Sequence, residues 1–322
     1  MFRNIDHQSA CLIGHDQKYI QLSAGKYTGH FQTINLSAEV CLYFETFNQT
    51  LQQFGASPQD RYGVILLLDP ANRVAVRQRD IDSQDVMLVP PGCTFEFLAP
   101  PGTHFCVVSI DKDVFERLTQ DAPKRSPARL HETSVLTDAV FVQHLAQSIG
   151  FLRSRYGYHI GSPRPGQLIQ GATRSLLALI GGFFSEYPDE TKMHIPFLPN
   201  AHQDVLRRMQ DYILVRRGVC VRPTHVAAQF SISRRHMEDL FRRFIGVGPA
   251  EYIRIVTFNA FRSELLTEAR ASDSIGDIAA EFELWHHSRL SGTYNRYFGE
   301  LPSEARRFFQ SSDPSGSQYH SV

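Results

Sequence analysis

The sequence predicts an α+β protein in two parts. An antiparallel β domain with trailing helices comes first, and an all-α domain with two helix-turn-helix units follows. Three observations predict this. The last third of the chain contains an internal repeat. The first 120 residues hold short apolar or alternating runs about ten residues apart, punctuated by turn signals. Residues 133–187 then switch to helical spacing.

In the β region the runs are Val40–Phe47, Val64–Leu68, Val74–Arg79, Val86–Val89, Phe95–Leu98 and Phe105–Ile110. Asp69-Pro70, Pro90-Pro91-Gly92 and Pro100-Pro101-Gly102 supply turns between them. Such spacing suits a compact sandwich or barrel. Tyr43, Phe95 and Phe97 are apolar pocket candidates, although plain core is the more ordinary role for such residues.

Ser134–Leu152 and Gly166–Tyr187 read as helices, the second through Leu168, Ala172, Leu176, Leu177, Ile180 and Phe184. Gly157, Gly161, Pro163 and Pro165 mark a turn between them. Two such helices either pack on their own domain or form a dimer seam. The segment His194–Asn200, with Pro196 and Pro199, reads as a linker. The expected boundaries are therefore 1–132 for an effector or sensor domain and 133–195 for a helical dimerisation or packing segment. Residues 201–310 form the double helix-turn-helix domain, and 311–322 a disordered polar tail.

The repeat carries the functional reading. Val226, Ala227, Phe230 and Ile232 recur as Ile278, Ala279, Phe282 and Leu284, an offset of 52. Met237, Phe241, Arg243, Gly246 and Pro249 recur as Leu290, Tyr294, Arg296, Gly299 and Pro302, an offset of 53. The second turn is thus one residue longer. In the first unit the turn runs through Phe230-Ser231-Ile232 and Ser233 is the expected N-cap. The recognition helix is Arg234–Phe244, and Arg234, Arg235 and Glu238 are its expected base-reading positions. In the second unit Ser274 and Asp277 suggest a capping box. The recognition helix there is His286–Phe298, with His287, Ser288 and Arg289 placed to read bases. Arg242, Arg243 and Arg296 are expected at phosphates. Glu238 and Asp239 either read cytosines or are tied up by Arg235, Arg242 or Arg243. Pro249–Leu266 reads as one helix joining the units.

Charge agrees only mildly. The 322 residues carry 33 basic and 33 acidic side chains. Residues 201–310 hold 16 Arg, no Lys and 13 acidic residues, a surplus of three positive charges. The exclusive use of Arg suits phosphates and guanine edges. Five scattered cysteines without a C-x-x-C read as free thiols of a cytoplasmic protein, and a lone Cys220 reads as core. No signal-peptide h-region and no uninterrupted apolar run of membrane length is present. His7, His15, His30 and His104 lack the clustering a catalytic cupin metal needs, so no enzyme, metal or cofactor is expected.

Residues 201–310 resemble the DNA-binding domain of the AraC/XylS transcriptional regulators, through His225–Pro249 and Ile275–Glu304. Tyr62–Pro70 and Asp85–Phe97 resemble a cupin-like effector domain. Gly25–Phe31 and Leu284–His287 are similar in layout to the ethanolamine-utilisation regulator, a resemblance that carries no ligand with it. The family resemblance implies a sequence-specific, ligand-responsive activator that binds double-stranded DNA beside RNA polymerase. It leaves a homodimer and a small-molecule effector as expected partners and a membrane as none. The alternative is a regulator whose β domain only dimerises or binds a protein. The family usually has Gly where this chain has Ser231 and Glu283, so those turns are expected to carry strain.

Overall fold

A computed structural model describes the chain except residues 13, 77–78, 123–131, 157–165, 187–192, 195–200, 286 and 312–322. The expected linker, apart from His194, lies outside the described residues, as do the loop with Gly157, Gly161, Pro163 and Pro165 and nearly all of the tail. The chain divides into two units. The first holds Met1–Tyr19, Thr28–Asn48 and Gln52–Leu198; the second holds Ile20–Tyr27, Gln49–Leu51 and Pro199–Val322.

The N-terminal part is antiparallel. Its strands are β1 (Asp16–Gln21), β2 (Gly29–Asn35), β3 (Val40–Phe47), β4 (Leu51–Ala56), β5 (Arg61–Leu67) and β6 (Val74–Val76). They continue with β7 (Arg79–Ile81), β8 (Asp85–Val89), β9 (Thr94–Ala99), β10 (His104–Asp111), β11 (Ser134–Thr137) and β12 (Met193–His194). One sheet runs β1-β4-β9-β6-β7 and the other β12-β11-β8-β5-β10-β3-β2. In the second, β10 lies between β3 and β5, and its Cys106 faces Phe44 on one side and Leu66 on the other. Strands such as Val-Cys-Leu-Tyr-Phe-Glu-Thr-Phe in β3 are rich in β-branched and aromatic residues, and every position there but Thr46 is buried.

Helices α1 (Ile5–Ser9), α2 (Lys112–Leu118), α3 (Ala139–Tyr156) and α4 (Gln167–Glu186) accompany the sheets. Asp111 caps α2, its Oδ1 accepting from the amides of Asp113 and Val114. Helices α3 and α4 pack on the larger sheet through one core that includes Leu66, Val108, Phe115, Leu145, Leu176 and Phe184. Phe141 stacks on Phe183 with ring centroids 3.6 Å apart. Helix α4 is long and apolar enough, by length and composition, to cross a membrane. Its Leu176, Ile180 and Phe184 form one stripe that is fully buried in the protein core.

Sequence and structure differ at one helix start. Ser134–Leu152 is not one helix. Ser134–Thr137 is strand β11, pairing Val135 with Met87 of β8. Asp138 then opens α3 by accepting the Phe141 amide on its Oδ1 at 2.9 Å. A four-residue run cannot reveal its period, and pairing with a sheet edge decided it.

The second unit contains α5 (Ala201–Val215), α6 (Pro223–Gln229), α7 (Arg234–Ile245) and α8 (Pro249–Leu265). It ends with α9 (Ile275–Glu281), α10 (His287–Phe298) and α11 (Pro302–Ser311). Helix α8 is the strut, touching α5, α7, α9, α10 and α11. Eleven of its seventeen residues are buried. Arg262 is one of them: its Nη1 lies 2.7 Å from Glu300 Oε1 and donates to Tyr294 Oη at 2.7 Å. Its guanidinium also sits 4.9 Å from the Phe298 ring centroid.

Candidate DNA-binding site

Helices α6 and α7 form the first helix-turn-helix, and α9 and α10 the second. The repeat seen in sequence is repeated in hydrogen bonds. Ile232 N donates to Ala227 O and Leu284 N to Ala279 O, both at 3.0 Å. Val226 and Ala227 are buried in one copy, Ile278 and Ala279 in the other. Residues 230–233 separate the first helix pair and 282–286 the second, giving the extra residue that the shifted offset requires.

The caps follow from local chemistry. Ser233 accepts the His236 amide at 3.1 Å and opens α7. Gly246 closes α7 at φ 86, a left-handed conformation that costs glycine nothing. Ser274 Oγ accepts the Asp277 amide at 3.0 Å and donates to the Asp277 carboxylate at 2.6 Å. The expected capping box is therefore half formed, because Asp277 engages the serine hydroxyl and not a backbone amide. Ser231 and Glu283 sit at φ 53 and 59, so both non-glycine turns keep the left-handed geometry. Glu283 accepts the Cys220 thiol at 2.9 Å. This contact pushes the thiol pKa upward, which opposes thiolate formation. Cys220 is exposed and is not part of the core.

Arg234, Arg235, Arg242 and Arg243 on α7 are exposed, as are Arg289 and Arg296 on α10. His287 and Ser288 begin α10, and their side chains lie outside the described residues. Glu238, half-buried, pairs with Arg242, Oε1 accepting from Nε at 2.9 Å and Nη2 at 2.8 Å. Among the described residues no ion pair holds Arg235, Arg243 or Arg289. Arg296 lies against Tyr297, whose hydroxyl donates to Glu251 at 2.5 Å. Sequence reading missed two anchors beneath this surface. One is the buried Arg262–Glu300 pair. The other is Arg270, bonded to Glu281 and Asp273. The position of Arg262 in an otherwise apolar stripe of α8 was the available signal.

Residues 226–307 match the family model described as a helix-turn-helix domain. This domain is of the AraC/XylS kind. The probable thc operon regulatory protein of Rhodococcus erythropolis is 28% identical over 112 residues, covering 35% of this chain and 32% of the relative. The XylDLEGF operon transcriptional activator of Pseudomonas putida is 33% identical over 76 residues, 24% of each chain. The chain thus spans about a third or less of the length of these relatives. The solved AraC-like transcriptional activator CuxR covers 78% of this chain and 84% of its own, at 13% identity and a TM-score of 0.38.

The β domain holds a cavity of about 480 Å³, its mouth included. Phe95 and Phe97 line it, whereas Tyr43 belongs to a neighbouring cluster with Leu12 and Cys41. Phe105 continues the aromatic wall, its ring centroid 5.4 Å from that of Phe97. Gly55 makes room for this wall, since a Cβ there would lie 2.4 Å from the Phe95 ring. The polar side is Glu45, 6% exposed, with Tyr19 and Gln53. Tyr19 Oη donates to Glu45 Oε2 and Gln8 Nε2 to Oε1, both at 2.9 Å. Burial raises the Glu45 pKa to about 7, against the opposing effect of these donors. A single carboxylate inside the otherwise apolar β3 was the sequence signal for this site.

Proposed function

We propose that the protein is a ligand-responsive, sequence-specific transcription regulator, and an activator. The carrying observation is the pair of matched helix-turn-helix units packed on α8. Arg235 and Arg289 read base edges, with Arg234, His287 and Ser288 beside them. Arg243 and Arg296 bind phosphate. Arg242 also reaches phosphate on DNA, although it holds Glu238 in the free protein, and this pairing withdraws Glu238 from base reading. The protein acts in the cytoplasm on double-stranded DNA beside RNA polymerase, as a homodimer, and without enzymatic chemistry. A small molecule enters the β domain and changes DNA binding through the coupling of two sites.

The cavity favours this reading over one in which the β domain only dimerises or holds a protein partner. Selection of DNA from a random pool by the full chain tests it. Two half-sites centred about ten base pairs apart are expected. A pool left without sequence preference overturns the two-groove reading. Arg289→Ala is expected to lose about 1–3 kcal/mol on its site and to relax one base position. Arg243→Ala is expected to weaken all sequences alike and to flatten the salt slope by about one. Equal losses of both variants on specific and random DNA contradict the division of roles.

A further inference from the structure

We infer that the β-domain cavity is a binding site for a primary amine carrying an apolar, preferably aromatic, body, with Glu45 as its counter-ion. Calling that amine an effector rests on the regulator reading above; its binding does not.

Four observations carry the inference. First, Glu45 is held by neutral groups. Tyr19 and Gln8 each occupy one lone pair, one on each carboxylate oxygen. A carboxylate offers about four such sites, so acceptor capacity remains. Second, among the described residues no Lys or Arg lines the cavity. A buried carboxylate without a cation is unusual, and a ligand ammonium removes that deficit. Third, Gln53 is 3% exposed, lines the cavity and lies near enough to Glu45 to help hold its charge, yet its Nε2 completes no hydrogen bond of good geometry. A ligand acceptor group placed near the ammonium satisfies it. Fourth, Phe95, Phe97 and Phe105 present a tilted aromatic wall. Ring faces attract cations and bury an apolar body. The same features disfavour the opposite class. A ligand carboxylate or phosphate meets Glu45 with like charge and finds no lysine or arginine among the described lining residues.

Three probes of similar shape separate the classes: 2-phenylethylamine, 2-phenylethanol and phenylacetate. Calorimetric titration into the full chain at pH 8 is expected to give an amine constant at least about tenfold tighter than that of the alcohol, a difference of about 1.4 kcal/mol. Phenylacetate is expected to be weakest. In Glu45→Gln the amine preference over the alcohol is expected to shrink below about threefold. Val107→Phe narrows the cavity from a half-buried wall position and keeps Glu45. It is expected to weaken amine and alcohol together, and it serves as the second variant should Glu45→Gln not fold. Absence of amine binding, a preference for phenylacetate, or an amine preference undiminished in Glu45→Gln each overturn the inference. Binding of a selected DNA site is measured in parallel. Amine binding that leaves DNA affinity unchanged supports the site and counts against ligand-responsive regulation. Phenylacetate that binds and alters DNA affinity does the reverse.

Discussion

At the scale of single residues, two side chains sit where elementary chemistry disfavours them. Glu45 is the first. Its native pKa of about 7 lies above the ordinary 4.5, so the folded state holds the proton more tightly than the unfolded chain does. The stability contributed by that proton is full below about pH 4.5 and is lost as pH rises through 7. Tyr19 is hydrogen-bonded to Glu45 and His15 shares the cavity; both remain in Glu45→Gln and cancel in a comparison. Relative to the native protein, Glu45→Gln is therefore expected to gain about 2 kcal/mol between pH 5 and pH 8. Denaturant melts at the two pH values check this, and a difference independent of pH contradicts it. Ser231 is the second, exposed at φ 53 without a described side-chain bond. Ser231→Gly is expected to stabilise the C-terminal unit by about 1 kcal/mol, read as a rise in its denaturation midpoint. Glu283→Gly relieves similar strain but loses the Cys220 contacts. Its gain is expected to be smaller.

At the scale of elements, what was legible followed from what local sequence encodes. The first recognition helix and its caps were readable because Ser233, Gly246 and Pro249 act on their own neighbours, and the second followed from the repeat. The strands β3, β8, β9 and β10 were readable within a residue or two because each is a mainly apolar or alternating run. Strands β1, β2 and β4 were not. Asp16–Gln21 and Leu51–Ala56 mix glutamines with apolar residues, and three of those glutamines, Gln21, Gln52 and Gln53, are buried by tertiary contacts. Of the candidate site, the exposed arginines were visible as a pattern. The Glu238–Arg242 pair was foreseen only as one of several pairings, because helical spacing offers Glu238 and Asp239 more than one arginine. The Arg262–Glu300 bond joins α8 to the turn between α10 and α11, so Arg262 stood out in its apolar stripe while its partner had no local signature. It also sets an expectation for the second unit. Glu300→Ala removes the carboxylate paired with the buried Arg262 guanidinium, a loss of about 3 kcal/mol. Arg262→Met with Glu300→Leu removes both charges and is expected to recover at least half of that. Thermal unfolding of the three proteins decides, and a double variant as unstable as Glu300→Ala contradicts the buried-charge account.

At the scale of the molecule, α8 determines what two readers on one chain can do. Seventeen residues of helix span about 25 Å. Residues between Gly246 and Pro249 join it to the first reader, and the second is held to it through Phe261, whose ring lies 6.0 Å from Phe282 and 5.9 Å from Tyr294. Phe241 of the first recognition helix lies 5.3 Å from Tyr252 near the other end. Both readers are therefore packed on one rigid strut, and neither hangs on a flexible tether. Rigidity and tethering make different predictions about DNA. A tethered pair tolerates ten added base pairs between half-sites, because one full turn restores the facing of the groove. A strut of fixed length does not, because the second half-site has moved by about 34 Å along the axis. Insertion of five and of ten base pairs into a selected site is thus expected to lower affinity equally, to the level of a single half-site. Recovery at ten but not at five contradicts the strut and places the flexibility between the two readers.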